Sequence, residues 1–339
     1  MVHEKQNSTM RKLEIILPFG SLSTIMAPKI SKKASSQEIK SSAFSVEISD
    51  GSVLTGELDE KQNSQPIANI LLVHGLASSC HDPSVVRQAH FLARKGFRVL
   101  RLNHRNAGSG KNKAIGFYHA DRSQDIVDAL VGLTKVYSQH SWIIVGQSLS
   151  GNMLLKALGE AKNQALFEQC KCIGAIAVSP IIDLGRSSKR MKKPLLGFFD
   201  QVFTQAMKAY LNRIDNGIGT ELKNDIRSAR NLAELDEKFV AKALGLQNAE
   251  EYYSQATAMN VLESIKLPTT IIFAKNDPIA PGTLSIIQAV QNPLVKKCIT
   301  VFGGHLSFLS VSLPEMRLAF AGDRKVWESC QDLVRGREC

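Results

Sequence analysis

Val145-Gly146-Gln147-Ser148-Leu149-Ser150-Gly151-Asn152 is the stretch on which the fold reading turns. Before it, Trp142-Ile143-Ile144-Val145 is a short continuous apolar run, the pattern of a strand buried on both faces. After it, Leu149 to Leu158 carries apolar residues at helical spacing. A serine at so tight a strand-to-helix turn is lifted clear of the sheet, and the positions two before and two after it must be small for the turn to close. Gly146 and Ser150 meet that need. The turn also leaves the Leu149 backbone N–H at the helix start, where it can face negative charge developing on an oxygen. Ser150, the rival serine, sits two positions past the apex in the first helical turn. Taken alone, the stretch is equally a Ser/Gly-rich turn with a structural job.

Working outward, the same rhythm repeats. Ile70-Leu71-Leu72-Val73 reads as a strand ending at His74-Gly75, Pro83 to Gly96 as a helix, and Phe97 to Leu102 as a strand. Asp121 to Tyr137 is helical and Cys172 to Val178 is a strand. Thr269 to Ala274 and Lys297 to Phe302 are strands flanking a helix at Leu284 to Val290, and an amphipathic helix closes the chain. Upstream, Phe44, Val46 and Ile48 alternate before Asp50-Gly51, a hairpin signal, and residues 59–66 read as a polar loop. Strand–helix alternation of this kind predicts an α/β fold, a mostly parallel central sheet with helices on both faces. Residues from about 183 to 258 break the alternation and read as a helical lid insertion over the carboxyl ends of the strands, where such sheets bind ligands. The organisation expected is a loose polar arm over residues 1–40 and one domain over 41–339 with that cap.

Three further positions sit at predicted strand ends. His74-Gly75-Leu76 follows the first buried strand, and the Leu76 N–H there is the expected second donor to an oxyanion. His74 itself reads as a prop for the loop. Asp277 follows Ile271-Ile272-Phe273-Ala274, where a carboxylate can orient an imidazole and stabilise its charged form. Asp183, after the preceding strand, is the rival acid, and an Asp-Pro turn is the plain alternative. Phe302-Gly303-Gly304-His305 delivers a histidine on a flexible loop. Neither His90, on a helix, nor His140, in a polar loop, has that setting. Ser148 as nucleophile, Asp277 as acid and His305 as base follow the chain order Ser…Asp…His.

The remaining composition narrows the class. With 44% hydrophobic and 22% charged residues the chain is ordinary globular material. Its net charge of +11 is scattered over the surface rather than gathered with aromatics, so nucleic acid is not an expected partner. Six cysteines without a CxxC pair suit free thiols in a reducing compartment and no metal site. No apolar run is long enough to cross a bilayer. Met10 to Pro28 faintly resembles an export signal, but Glu14 and Pro18 interrupt it, and a cytoplasmic protein is expected.

These residues together resemble the α/β-hydrolase superfamily over roughly residues 40–335, and within it the YheT-like hydrolases, whose eukaryotic relatives handle lipid esters. Asn103-His104-Arg105-Asn106-Ala107-Gly108-Ser109-Gly110, Tyr118-His119, Gly146-Gln147-Ser148-Leu149, Tyr252-Tyr253, Asn276-Asp277-Pro278 and Gly303-Gly304-His305 carry the resemblance, echoed in the arm by Ser21-Leu22-Ser23-Thr24-Ile25. The chain departs from the group at Ser150 and Asn106, each where a Gly is usual, and at Ala77-Ser78 after His74-Gly75-Leu76. The resemblance implies a serine hydrolase of carboxylic esters, short-chain or acyl-lipid, working through an acyl-enzyme with no metal or organic cofactor. An acyltransferase using the same three residues, and a non-catalytic ligand-binding scaffold, are the competing expectations. The small-molecule or lipid ester is the expected partner. Leu195, Leu196, Phe198, Phe199, Val202 and Phe203, beside the basic run Lys189 to Lys193, read either as core or as a lid face making transient contact with a membrane surface.

Overall fold

Continuous Val/Ile/Leu runs without polar alternation can be strands only if both faces are covered, and the computed structural model of the protein covers them. It describes residues 13–16, 38–191, 196–214, 219–280, 282–313 and 317–336. The Ser21 to Ile25 echo, most of the Met10 to Pro28 stretch, Lys192, Lys193 and Leu195 lie outside those residues.

In chain order the strands are β1 (Leu13–Ile16), β2 (Ile39–Glu47), β3 (Val53–Lys61), β4 (Asn69–Val73), β5 (Arg98–Leu102), β6 (Trp142–Gln147), β7 (Cys172–Val178), β8 (Thr269–Ala274), β9 (Val295–Thr300), β10 (Leu309–Leu313) and β11 (Arg317–Phe320). Eight of them form one sheet in the order β2-β3-β5-β4-β6-β7-β8-β9. The β2-β3 and β3-β5 pairs are antiparallel, and the pairs from β5 to β9 are parallel. Every residue of β4, β6 and β8 is buried. Helices α1 (Pro83–Arg94), α2 (Ser123–Val136), α3 (Leu149–Gly159) and α4 (Gln164–Gln169) follow strands early in the chain. Apolar side chains of α2 and α3 pack with Leu71, Val73 and Ile144 on one face of the sheet. On the other face Val85, Ala89 and Leu92 of α1 pack with Ile70, Leu72, Ile143 and Val145, together with Val326 and Cys330 near the chain's end.

Register decides what meets at the carboxyl ends. Val73 lies level with Leu102 and with Gly146, and Gln147 lies level with Val178. The residues just after these strands, His74, Asn103, Ser148 and Ser179, therefore emerge side by side.

Between β7 and β8 run α5 (Leu184–Met191), α6 (Gly197–Asn212), α7 (Thr220–Ser228), α8 (Leu232–Leu235), a π-helical turn (Asp236–Ala241) and α9 (Ala249–Ala256). Tyrosine hydroxyls fasten this helical insertion to the loop after β5. The Tyr210 hydroxyl donates to the Arg105 carbonyl at 2.8 Å and accepts from the Tyr118 N–H at 3.0 Å, and the Tyr252 hydroxyl accepts from the Ala120 N–H at 2.8 Å. The chain returns through α10 (Thr283–Ala289) and closes on α11 (Ala321–Arg335).

Two features differ from the sequence expectation. β3 runs on to Lys61, into the stretch that reads as a polar loop. Its Asp59 is fully buried but paired: Arg101 on β5 donates to both carboxylate oxygens, at 2.5 and 2.9 Å. A buried carboxylate is tolerated in a strand when a cation satisfies it. Second, β1, β10 and β11 form a separate three-stranded antiparallel sheet. It ties Leu13–Ile16 of the polar arm to residues 309–313, a pairing too long-range for local patterning to show.

Arg101 also donates to the Cys80 carbonyl, so one guanidinium anchors both β3 and the loop that carries Leu76. Arg101→Met should leave Asp59 buried without its cation and cost about 3–5 kcal/mol, read as a lower urea midpoint with an unchanged slope. An unfolding midpoint like that of wild type would show that this ion pair does not hold β3 in place.

Candidate active site

The elbow is built by contact, not by propensity. Ser148 sits at φ 54°, ψ −115°, a conformation that costs an L-residue free energy and persists only where its surroundings enforce it. Its N–H donates to the Val178 carbonyl of β7 at 2.9 Å. A Cβ on Gly146 would come within 2.5 Å of the Ser150 carbonyl, and one on Gly75 within 3.0 Å of the Ser148 Cβ. Gly146 is therefore required by close approach, and at Gly75 a side chain would crowd Ser148.

His305 lies in the loop after β9. Its Nε2 is 2.7 Å from the Ser148 Oγ and its Nδ1 is 2.8 Å from Asp277 Oδ2. With Nδ1–H donating to the carboxylate, Nε2 accepts the Ser148 hydroxyl proton. Asp277 is satisfied on its other side, where Oδ1 accepts the N–H groups of Ile279 and Ala280 at 2.8 and 3.1 Å. All three residues are at most 6% exposed. Asn276 supports the loop, its Oδ1 accepting from the Gly304 N–H at 3.0 Å.

The rivals are elsewhere. Asp183 pairs with Arg186 and accepts its N–H at 2.7 Å. His90 faces Asp59 at 3.5 Å. Ser150 faces away from Ser148: its hydroxyl donates to the His74 carbonyl and lies 2.7 Å from His104 Nε2. His74 Nδ1 is 2.8 Å from the Gly75 carbonyl. Burial depresses both imidazoles, His74 to about 4 and His104 well below the ordinary value, so the network is neutral. The Ser150 hydroxyl, at a position where the resemblance leads to a Gly, adds hydrogen bonds to this buried network. Asn106, the other departure, adopts φ 56°, a left-handed conformation that Asn tolerates, while its amide donates to the carbonyls of Ala114 and Gly116.

Leu76 and Leu149 flank the serine, and among the described residues neither N–H has a protein acceptor. Both residues line a cavity of about 860 Å³ of empty space, open solvent at its mouth included. The cavity starts at Ser148 and runs under the helical insertion between Ile181, Phe203, Met207 and Leu235. Of the apolar cluster read from sequence, Leu196 and Phe199 are buried, Phe203 lines the cavity, and Phe198 and Val202 are 60% and 47% exposed.

Sequence reasoning missed Asp236. It opens the π-helical turn, lines the cavity, and accepts the Tyr253 hydroxyl at 2.7 Å. Although the residue keeps some surface, burial of its carboxyl, with Asp200 nearby, pushes it up to about 7. The signal available was the Tyr252-Tyr253 pair, whose second hydroxyl needs an acceptor once buried.

The comparisons agree with this fold. A family model described as the alpha/beta hydrolase fold matches residues 68–310. Medium-chain fatty acid ethyl ester synthase/esterase 2 of Saccharomyces cerevisiae is 27% identical over 267 residues, covering 71% of this chain and 58% of that protein. YheT of Escherichia coli is 27% identical over 254 residues, covering 74% and 73%. Phospholipase ABHD3 of Homo sapiens is 23% identical over 243 residues, covering 71% and 58%. The chain thus spans less than two thirds of the yeast and human relatives' length. An esterase of Pyrococcus furiosus has the same fold, with TM-score 0.55 at 17% identity over 91% of this chain and 94% of that one.

A carboxyl raised in the folded state binds a proton that the unfolded chain releases, so its contribution is full below the unfolded value and is lost as pH climbs towards 7. Stability should therefore fall between pH 5 and pH 8 by on the order of 2 kcal/mol from Asp236, and Asp236→Asn should flatten that slope in calorimetric unfolding. An Asn variant with the wild-type slope would assign the pH dependence to other groups.

Proposed function

Because the chain belongs to the α/β-hydrolase fold family, we propose that it is a serine hydrolase of carboxylic esters, working through Ser148, His305 and Asp277. The observation that supports this reading best is the continuous line from the Asp277 carboxylate through the His305 ring to the Ser148 hydroxyl, ending at the floor of an apolar cavity. Apolar walls hold an acyl chain, and the ordered line turns a weak nucleophile into a competent one.

In this mechanism the Ser148 Oγ attacks the ester carbonyl carbon as its proton passes to His305 Nε2. Asp277 keeps the ring in the tautomer that can accept that proton and stabilises the imidazolium. The N–H groups of Leu76 and Leu149 receive the oxyanion, two donors already fixed by the loop and the helix start. As the tetrahedral species collapses, His305 returns the proton to the leaving alcohol. Water then repeats the sequence on the acyl-enzyme. An alcohol in place of water gives a new ester, a reading favoured by the synthase/esterase name of the yeast relative. The helical insertion over residues 183–258 acts as the lid of the acyl pocket. The names of the relatives, two of which concern fatty acyl or phospholipid esters, support acyl-lipid substrates.

A fluorophosphonate probe should label the wild-type protein at Ser148, and medium-chain p-nitrophenyl esters should be hydrolysed. Ser148→Ala and His305→Ala should each lower turnover by on the order of 10⁴-fold or more, with probe labelling absent in the first. Ethanol added to the assay should divert product to the ethyl ester if the acyl-enzyme accepts alcohols. A folded wild type that neither labels nor turns over these esters, with or without mild detergent, would sink the proposal.

The lid carries a second testable feature. Phe198 and Val202 stand exposed one helical turn apart on α6, and Lys189 and Arg190 lie in the last turn of α5, shortly before it in the chain. This face suits transient contact with an anionic lipid surface. Among the described residues no helix is long and apolar enough to cross a membrane, so the contact would be peripheral. The protein should float with vesicles containing phosphatidylserine at low salt, and Phe198→Ser with Val202→Ser should abolish flotation; no binding at low salt ends the idea.

A further inference from the structure

At one place the helical insertion puts very little between the cavity at Ser148 and the outside. A surface pocket of about 660 Å³ of empty space, open solvent included, lies against the insertion, and the exposed residues Lys189, Glu237, Asn248 and Glu250 are part of its lining. Ser188 and Tyr253 line that pocket and line the cavity as well. Both keep part of their surface. The two spaces are therefore divided there by a single layer of side chains.

That layer is held by hydrogen bonds from three elements. Tyr253, on α9, donates its hydroxyl to Asp236 Oδ2 of the π-helical turn at 2.7 Å, and the same oxygen lies 3.0 Å from Ser188 Oγ on α5. With the phenol proton given to Asp236, the Ser188 hydroxyl donates to the phenol oxygen. The latch does not depend on the ionisation of Asp236: a carboxylate accepts, and a protonated carboxyl keeps a carbonyl oxygen that also accepts. The ring is fixed on its flanks too. A Cβ built on Gly185 of α5 would stand 3.6 Å from the Tyr253 Cδ2, so the ring rests close to that helix. On another side the Tyr252 ring packs 5.5 Å away, itself pinned where its hydroxyl accepts the Ala120 N–H at 2.8 Å.

Other walls of the cavity are built differently. Phe117 also borders a second pocket, but it is buried and packs at 4.9 Å on Phe239, which is fully buried. Met191 borders a third pocket and is buried as well. Each of these walls shares one buried side chain with its neighbour. The wall at Tyr253 shares two partly exposed ones, and it is rigid because hydrogen bonds to a carboxyl shielded from water are costly to break. An acyl chain attached to Ser148 grows into an apolar space, and it gains from each buried methylene until a wall that cannot yield stops it.

We propose that Tyr253, latched by Asp236 and Ser188, is the end wall of the acyl cavity and sets the longest acyl chain that the protein accepts. This rests on the esterase reading above and adds the residue that decides chain length. Removing the ring joins the cavity to the surface pocket, so a longer chain passes through the wall instead of being compressed against it. The outer pocket is polar, so the gain for such a chain is relief of a clash and not further burial.

The test is a chain-length series of p-nitrophenyl esters from butyrate to palmitate, each below its critical micelle concentration, with every kcat/KM divided by that for butyrate. In wild type this ratio should climb with chain length and then drop past one length. In Tyr253→Ala the ratio for the first ester beyond that length should rise about tenfold, moving the limit to longer chains. Tyr253→Phe keeps the ring and loses only the latch, and should raise the same ratio less. Thermal unfolding checks that each variant folds. If Tyr253→Ala does not, Tyr253→Leu, which is too short to reach Asp236, is read in its place. A limit that stays at the wild-type length in the folded variant, an equal change for every ester, or a wild type with no limit overturns the proposal. Failure of wild type to hydrolyse any ester of the series is a different result, and overturns the esterase reading itself.

Discussion

Everything at the site depends on one backbone constraint, the left-handed conformation of Ser148. No local preference favours it. It is held because β6 is clamped between β4 and β7, because the Ser148 N–H is satisfied by Val178, and because Gly146 and Gly75 let two other backbone segments close on the turn. A parallel sheet buried on both faces is stiff, and it is that stiffness which lets a strained residue persist. The strain places the hydroxyl outside the sheet and the Leu149 N–H at a helix start, so in the proposed mechanism nucleophile and charge-stabilising donor come from the same turn.

The loops around the elbow are organised by buried polar groups rather than by apolar packing. Arg101 joins β3 to the loop bearing Leu76. Arg105 pairs with Asp125 and Asp50 at 2.6 Å each and accounts for the shape of the loop after β5. The neutral chain through His104, Ser150 and His74 props the same region from below the elbow. Such groups are costly when any member is left unpaired, which gives each loop one well-defined arrangement. The same argument explains why two departures from the family's usual glycines are harmless to the fold: Ser150 adds a bond that the network uses, and Asn106 adopts the backbone conformation that the glycine would.

The helical insertion obeys a different logic. It reaches the body of the molecule through tyrosine hydroxyls at Tyr210 and Tyr252 and closes over the cavity with aliphatic and aromatic side chains. Against that background the polar groups that do face the cavity stand out. Asp236 lines that cavity and is raised because its carboxyl is shielded from water.

Periodicity and strand-end motifs in the sequence by themselves determined the α/β class, a mostly parallel central sheet, and Ser148, Asp277 and His305 as residues to be brought together. They could do so because buried parallel strands are continuous apolar runs and because a tight elbow admits only small neighbours. They did not reveal the small sheet of β1, β10 and β11, or the extension of β3 through Asp59, because both depend on partners tens or hundreds of residues away. Nor did they reveal Asp236, His119 or Ser187 as lining one cavity. A lone Asp, His or Ser on a helix or loop carries no local pattern. Only the tertiary structure, by folding five helices of the insertion over the strand ends, decided which of these groups were shielded from water, and therefore which of them can matter to a substrate.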